Sequence, residues 1–414
     1  LLSQAVDIDP GRAFIEKLEV PAAVRSIEDL RLALVSTDGD ELIAYSPEIL
    51  DPVELPEPAK IYADPGEINS LDELWHAGDI TYKFRDPKKG REYFEEALRR
   101  DSGDSRSNVS VAELEIKQAR YQSALDHLST ASERDPDNGR IFYLRGIAQE
   151  GLGDYASAGQ SYYRSAHFED QLSRAYGRLA LLALRSGNAL RAVEHVTKAI
   201  EQNVLNPRLW ALKATALRKA GRVDEGLKVA RHSLSLDPVS AWAAQEQFLA
   251  LKAKGEAAND AGDVVLQLLH NSQTAIEAAL NYANAGLYGD AFELLDSVPG
   301  GPLTDYYKGF FKDRVGDQNA AAEWFRKGRE QSPKNAFAFR LEGIDAFNTA
   351  LRHEPNDGKA HYYLGLIYGK VSDVEKAIEH WVRATQLDPV NALAWRDLGL
   401  ANVSVKEDPE KGLE

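Results

Sequence analysis

The sequence predicts an all-α chain in which helix hairpins stack into a right-handed superhelical solenoid, with a short β segment ahead of it. Three observations predict this. Ala124, Ala158, Ala192 and Gly226 recur at intervals of 34 residues, and small residues at a fixed period of this length mark a helix–turn–helix unit that buries its apolar face only by stacking on its neighbours. Each small residue brings further anchors at constant offsets, clearest between Gly358 and Pro389. The first 62 residues share none of this, and read as short strands and a proline-rich tract.

Taken in order, LEVPAAV (18–24) is a short apolar run that leans towards a strand, and RLALVSTDGDELIAYSP (31–47) reads as strand, turn, strand. Asp38–Gly39 supplies the positive φ that a hairpin turn requires. Three short strands bury too little apolar surface to stand alone. They read either as a small cap on the helices or as the tail of a larger β-domain preceding residue 1. DPVELPEPAKIYADPGE (51–67) is an acidic, proline-rich linker. The expected boundaries are a β segment and linker over 1–62 and a helical array over 63–414.

In the clearest unit, Leu364, Gly365 and Tyr368 belong to the first helix and Ala377, Trp381 and Ala384 to the second, with Pro389 closing it. Gly365 and Ala377 sit where the helices cross, and a larger side chain would push them apart. The same template fits seven more stretches. They carry Gly78/Gly90/Phe94/Ala97, Ala112/Ala124/Leu128/Ala131, Gly146/Ala158/Tyr162, Ala180/Ala192/Val196/Ala199, Ala214/Gly226/Ala230 and Gly309/Ala321/Phe325, and a last unit opens at Trp395, Leu398 and Gly399. Residues 241–300 are degenerate, with one recognisable unit around Ala279 and Ala291. Residues 335–356 read as a compressed helical pair. The final unit stops early in its second helix, near Gly412, without a capping helix.

These anchors resemble the tetratricopeptide repeat. A more specific resemblance lies in DPKKGREYFEEALRRDSGDSRSN, ALKATALRKAGR, NYANAGLYGDAFELL, AFAFRLEGIDAF and AHYYLGLIYGK. They are similar to the C-terminal half of a bacterial family that joins an N-terminal mutarotase-like domain of unknown function to a long repeat array. That resemblance implies carbohydrate binding or processing by a β-domain N-terminal to this chain, and it places no catalytic residue here.

Composition narrows the function. The 414 residues carry a formal net charge of −16 and no cysteine. The charge argues against nucleic acid, whose phosphates need a basic face. The absent thiols exclude a disulfide framework and a cysteine nucleophile, and fit a cytoplasmic protein. No apolar run approaches the roughly 18 residues of a membrane span. Nine histidines show no HExxH spacing, and neither a Walker loop nor GxSxG appears. The expectation is a non-catalytic chain without cofactor or metal.

First helices of such repeats line a concave groove. Its expected basic stretch comprises Arg140, Tyr143, Arg174, Arg178, Arg208 and Arg218, with Arg185 and Lys219. Guanidinium groups there suit an acidic peptide or a chain carboxylate. Arg185, Arg218 and Lys219 equally suit helix C-termini, where cations offset the dipole. Farther along, Tyr306, Tyr307, Tyr362 and Tyr363 fall on groove positions, either as an aromatic surface for apolar anchors or sugars or as rings buried by tight curling of degenerate repeats. The function expected is a protein- or peptide-binding scaffold. The alternatives are the structural half of a carbohydrate-active protein, and self-association through exposed repeat ends.

Overall fold

The computed structural model describes residues 3–7, 14–17, 19–22, 24–48 and 62–404. Most of the 51–67 linker and the region around Gly412 lie outside the described residues. The chain divides into two compact units, Leu1–Tyr62 and Ala63–Glu414.

In the first unit, β1 (Leu32–Val35) pairs antiparallel with β2 (Glu41–Tyr45), Leu32 facing Tyr45 and Leu34 facing Ile43. Ser36 N donates to the Asp40 carbonyl at 2.7 Å, and Gly39 takes φ +92°, the left-handed conformation the Asp–Gly pair was expected to supply. The expected strand over 18–24 is not present among the described residues: Pro21 and Val24 instead close a turn, Val24 N donating to the Pro21 carbonyl. Pro21 itself has no N–H to give a ladder.

In the second unit, twenty α-helices occupy the described residues. Eight antiparallel hairpins come first: α1 (Leu71–Phe84) with α2 (Pro87–Arg100), α3 (Ser105–Lys117) with α4 (Tyr121–Arg134), α5 (Gly139–Gly151) with α6 (Tyr155–Ser165) and α7 (Glu169–Arg185) with α8 (Ala189–Gln202). They continue with α9 (Pro207–Lys219) and α10 (Val223–Leu236), α11 (Ala241–Lys254) and α12 (Asn259–Leu268), α13 (Ser272–Asn284) and α14 (Tyr288–Asp296), and α15 (Pro302–Arg314) and α16 (Gln318–Glu330). A lone α17 (Glu342–His353) follows, then the pair α18 (Gly358–Lys370) and α19 (Val374–Leu387), and finally α20 (Ala392–Ser404). Except at α12, second helices pack on the first helix of the next hairpin, which makes the unit a solenoid. No helix of the described residues is long and apolar enough to cross a membrane.

Side-chain volume explains the hairpin anchors. A Cβ on Gly78 would lie 2.6 Å from Cε1 of Phe94, one on Gly146 2.7 Å from Cδ1 of Tyr162, and one on Gly309 2.6 Å from Cδ1 of Phe325. At Gly365 it would meet Cδ1 of Trp381 at 2.5 Å. Each glycine thus makes room for an aromatic ring sixteen residues later. Where the first position is alanine, at Ala112, Ala180 and Ala214, the partner shrinks to Leu128, Val196 or Ala230. All six of these residues are buried.

The turn inside most hairpins takes one left-handed residue, seven positions after the first anchor; the α1–α2 turn does not, Arg85 having φ −132°. Gly153, Gly187, Gly221, Gly286 and Gly316 supply it with φ between +73° and +88°. At the equivalent places Ala119 (φ +56°) and Ser372 (φ +62°) adopt it against their Cβ atoms.

Residues 335–356 do not form the expected helical pair. Gly343 follows Ala321 by 22 positions, twelve short of the 34-residue repeat, so α17 is a second helix without a first. A turn at 334–335 and a stretch without helix or strand, 336–340, precede it. Because no first helix intervenes, α17 packs directly on α15.

Candidate functional site

The first helices α7, α9, α11 and α13 frame a cleft of about 610 Å3. Arg174 and Arg178 lie four residues apart on one face of α7, Arg208 opens α9, and Asn281 and Asn284 stand on the facing side of α13. Arg208 reaches across, its Nη2 donating to Asn281 Oδ1 at 2.8 Å. Arg174 is exposed and has no ion pair or hydrogen bond among the described residues. The side chains of Asn203 and Asn284 likewise have no partner there, leaving amide donors and acceptors free. Glu169 and Asp170, at the start of α7, put two carboxylates on the rim.

The cleft brings together only part of the expected basic stretch. Arg178 is half-buried, paired with Glu150, and its Nε donates to Tyr162 Oη at 3.2 Å. Burial opposes its charge, but the Tyr162 and Glu150 oxygens outweigh that and raise its pKa. It is a structural ion rather than an exposed charge free for exchange. Arg140 lies outside the cleft and pairs with Glu113. Tyr143 packs on Tyr162 with ring centroids 5.8 Å apart.

Arg185, Arg218 and Lys219 close the solenoid on itself. Arg185 Nη2 donates to the carbonyls of Ala283 and Asn284, each at 3.1 Å, and its Nη1 to Tyr288 Oη at 3.0 Å. Arg218 binds Glu246 through Nε at 2.7 Å and Asp290 through Nη2 at 2.8 Å, and Lys219 Nζ lies 2.6 Å from Asp290. Farther out, Gln118 Nε2 donates to the Val371 carbonyl at 2.9 Å. Hairpin turns from the first half therefore touch those of the second. Arg218, already neutralised by two carboxylates, is corrected from groove candidate to closing contact.

The four tyrosines, read either as an aromatic groove or as rings buried by tight curling, are core residues, with 0% (Tyr306), 4% (Tyr307), 2% (Tyr362) and 0% (Tyr363) exposure. For Tyr306, Tyr307 and Tyr363 the missing first helix is the reason. It lets Phe347 of α17 reach Tyr306 and Tyr363, with ring centroids 5.2 Å from each. Tyr306 Oη donates to Asp357 at 2.7 Å. Burial, and then the Asp357 carboxylate, push its phenol well above the usual range. The 22-residue interval was the sequence signal for this collapse.

A second polar cluster was not anticipated. Nδ1 of His361 and Nδ1 of His380 approach to 2.9 Å, and the His380 ring stacks on Tyr368 at 5.4 Å. Burial, then His361 and Lys376, push His380 down to about 4. Among the described residues, no group of three His, Cys, Asp or Glu side chains is placed to hold a metal ion.

Comparison with known proteins agrees with this architecture. The tetratricopeptide repeat family model matches residues 111–171 and 178–241, so the chain carries tetratricopeptide repeats. The tetratricopeptide repeat-containing protein trd-1 of Caenorhabditis elegans is 23% identical over 142 residues, 34% of this chain and 18% of that protein. The photosystem I assembly protein Ycf3 of Cuscuta gronovii is 31% identical over 72 residues, 17% of this chain and 43% of that protein. The chain thus spans less than half the length of these curated relatives. Among solved structures, Pseudomonas aeruginosa pilF superposes with a TM-score of 0.44 at 16% identity, over 49% of this chain and 94% of that one. YrrB, described as a TPR protein with an unusual peptide-binding site, gives 0.38 at 18% identity, over 45% and 98%.

Proposed function

We propose that the chain is a non-catalytic scaffold whose cleft between α7, α9, α11 and α13 holds an extended, carboxylate-bearing segment of a partner protein. The observation that carries this is the pair Arg174 and Arg208. One is an unpaired guanidinium, and the other is held by a neutral amide, Asn281, that keeps its charge available. A guanidinium offers two parallel donors to a carboxylate. The free amides of Asn203 and Asn284 match the carbonyl and N–H groups of an extended backbone. The acidic rim at Glu169 and Asp170 disfavours a ligand dense in negative charge throughout, and favours carboxylates spaced to reach the two arginines. Peptide binding by a tetratricopeptide protein, as in the description of YrrB, supports the reading by analogy.

The test is calorimetric titration with a library of extended peptides carrying two spaced Asp or Glu residues, beside Asn/Gln versions. The expected outcome is binding by the acidic set that weakens as salt rises. Arg174→Glu with Arg208→Glu should lower that affinity by roughly 30-fold, about 2 kcal/mol. Equal binding of acidic and neutral sets, or unchanged affinity in the double variant, overturns the proposal.

A further inference from the structure

The stretch that replaces the missing first helix does not pack as a repeat element. Asn335 turns the chain with φ +61°, and the backbone then runs extended to Arg340. Side chains alternate strictly. Ala336 and Ala338 point inward at 8% exposure each, while Phe337 and Phe339 stand out at 61% and 43%. The seat is formed by Gln273 and Ile276 of α13 and Leu303 and Tyr307 of α15, two successive first helices.

The contacts are those by which a helical groove reads a peptide. Gln273 Nε2 donates to the main-chain carbonyl of Phe337 at 2.8 Å. Arg340 Nη2 pairs with Glu277 Oε2 at 2.9 Å. The backbone N–H groups of Phe337, Ala338, Phe339 and Arg340 have no partner among the described residues, so the stretch is held by its seat and not by secondary structure. Gln273, Glu277, Asn281 and Asn284 succeed one another along one face of α13. The first two lie under this stretch, and the last two line the open cleft.

We infer that residues 335–340 are a tethered occupant of the concave surface. The seat on α13 and α15 takes extended segments with small residues at alternate positions followed by a cation. It accepts such a segment from another chain when the tethered copy leaves. Two small side chains enter because Leu303 and Tyr307 close the floor, Gln273 selects an extended backbone, and Glu277 selects the cation. The inference rests on reading the first-helix face as a peptide groove, but its seat and its readout are separate from Arg174 and Arg208.

The chain has no cysteine, so a single introduced thiol reports on this stretch alone. In the full chain, Ala338→Cys should react with a maleimide at least ten-fold more slowly than Phe337→Cys. Adding Glu277→Lys should remove most of that protection. The acetylated, amidated peptide Lys-Asn-Ala-Phe-Ala-Phe-Arg should also remove it as it approaches the millimolar effective concentration typical of a short tether. A scrambled peptide of the same composition should not. Ala336→Cys is a second reporter should one variant fold poorly. Arg174→Glu with Arg208→Glu should leave the protection intact, which separates this inference from the acidic-ligand reading. Labelling of Ala338→Cys at the Phe337→Cys rate, or protection unchanged at about 10 mM of the unscrambled peptide, overturns it.

Discussion

Gly365 tests the packing rule of the hairpins directly. A Cβ there would sit 2.5 Å from Cδ1 of Trp381, well inside van der Waals contact, and the ring is wedged in the core of the α18–α19 hairpin. Gly365→Ala gains about 1 kcal/mol of helix propensity but forces overpacking that costs about 1–3 kcal/mol, so the expected net loss is about 1 kcal/mol. Trp381→Leu leaves a cavity and costs about 2–4 kcal/mol, reduced because Nε1 of Trp381 is buried without a partner among the described residues. The double variant recreates the Ala–Leu pair present at Ala112 and Leu128, with the new methyl filling part of the space the indole leaves. Its loss should therefore fall short of the sum by at least 1 kcal/mol. Repeat arrays need not unfold in one step, so amide exchange in α18 and α19 is the proper measurement. Losses that add to within about 0.5 kcal/mol would refute steric complementarity between the two positions.

Ala119→Gly and Ser372→Gly should each stabilise by about 0.5–1 kcal/mol in urea melts, since both hold left-handed backbone that glycine adopts freely; Gly187→Ala should cost about 1–2 kcal/mol. Arg178→Glu should destabilise by about 2–4 kcal/mol, because it leaves Glu150 facing a second carboxylate in a half-buried site, whereas Arg174→Glu should shift the midpoint negligibly. For His380 the folded pKa, about 4, lies below the ordinary value of 6.5. The unfolded chain then binds the extra proton, and stability falls as pH drops from about 6.5 to 4. The fall should be about 1–2 kcal/mol after allowing for partial exposure, and it should flatten in His380→Gln; a flat profile in the parent chain would contradict the assigned environment. His361, also lowered by burial, contributes in the same direction.

The hairpins were legible because their determinants are local. Small residues at helix crossings, a ring or a methyl sixteen positions later and a turn residue between them all repeat within 34 positions. The fate of the groove candidates was not, because it depends on where turns far apart in sequence finish. Nothing near Arg185 announces that Tyr288 and the Asn284 carbonyl will lie beside it; that meeting is the sum of many small rotations between repeats. The tyrosines follow the second of their two readings, burial, for a different reason. The twelve missing residues before Gly343 bring α17 onto α15, where Phe347 covers Tyr306 and Tyr363.

These two departures together explain why one part of the first-helix surface keeps unpaired charge. Cations near the ends of α7 and α9 are consumed in holding the turns of the second half, through the Ala283 and Asn284 carbonyls and Asp290. The face of α13 towards its N-terminus is consumed by residues 335–340. Between these lie the early turns of α7, the start of α9 and the last turns of α13, where, among the described residues, Arg174 has no partner and Arg208 has only an amide. A residue already satisfied inside the protein gains little by exchanging its partner for a ligand's, so charge that is still unpaired after folding is the better guide to binding than charge that merely faces inward. By that criterion Arg174 and Arg208 stay as candidates, and Arg140, Arg178 and Arg218, each with its own carboxylate, do not.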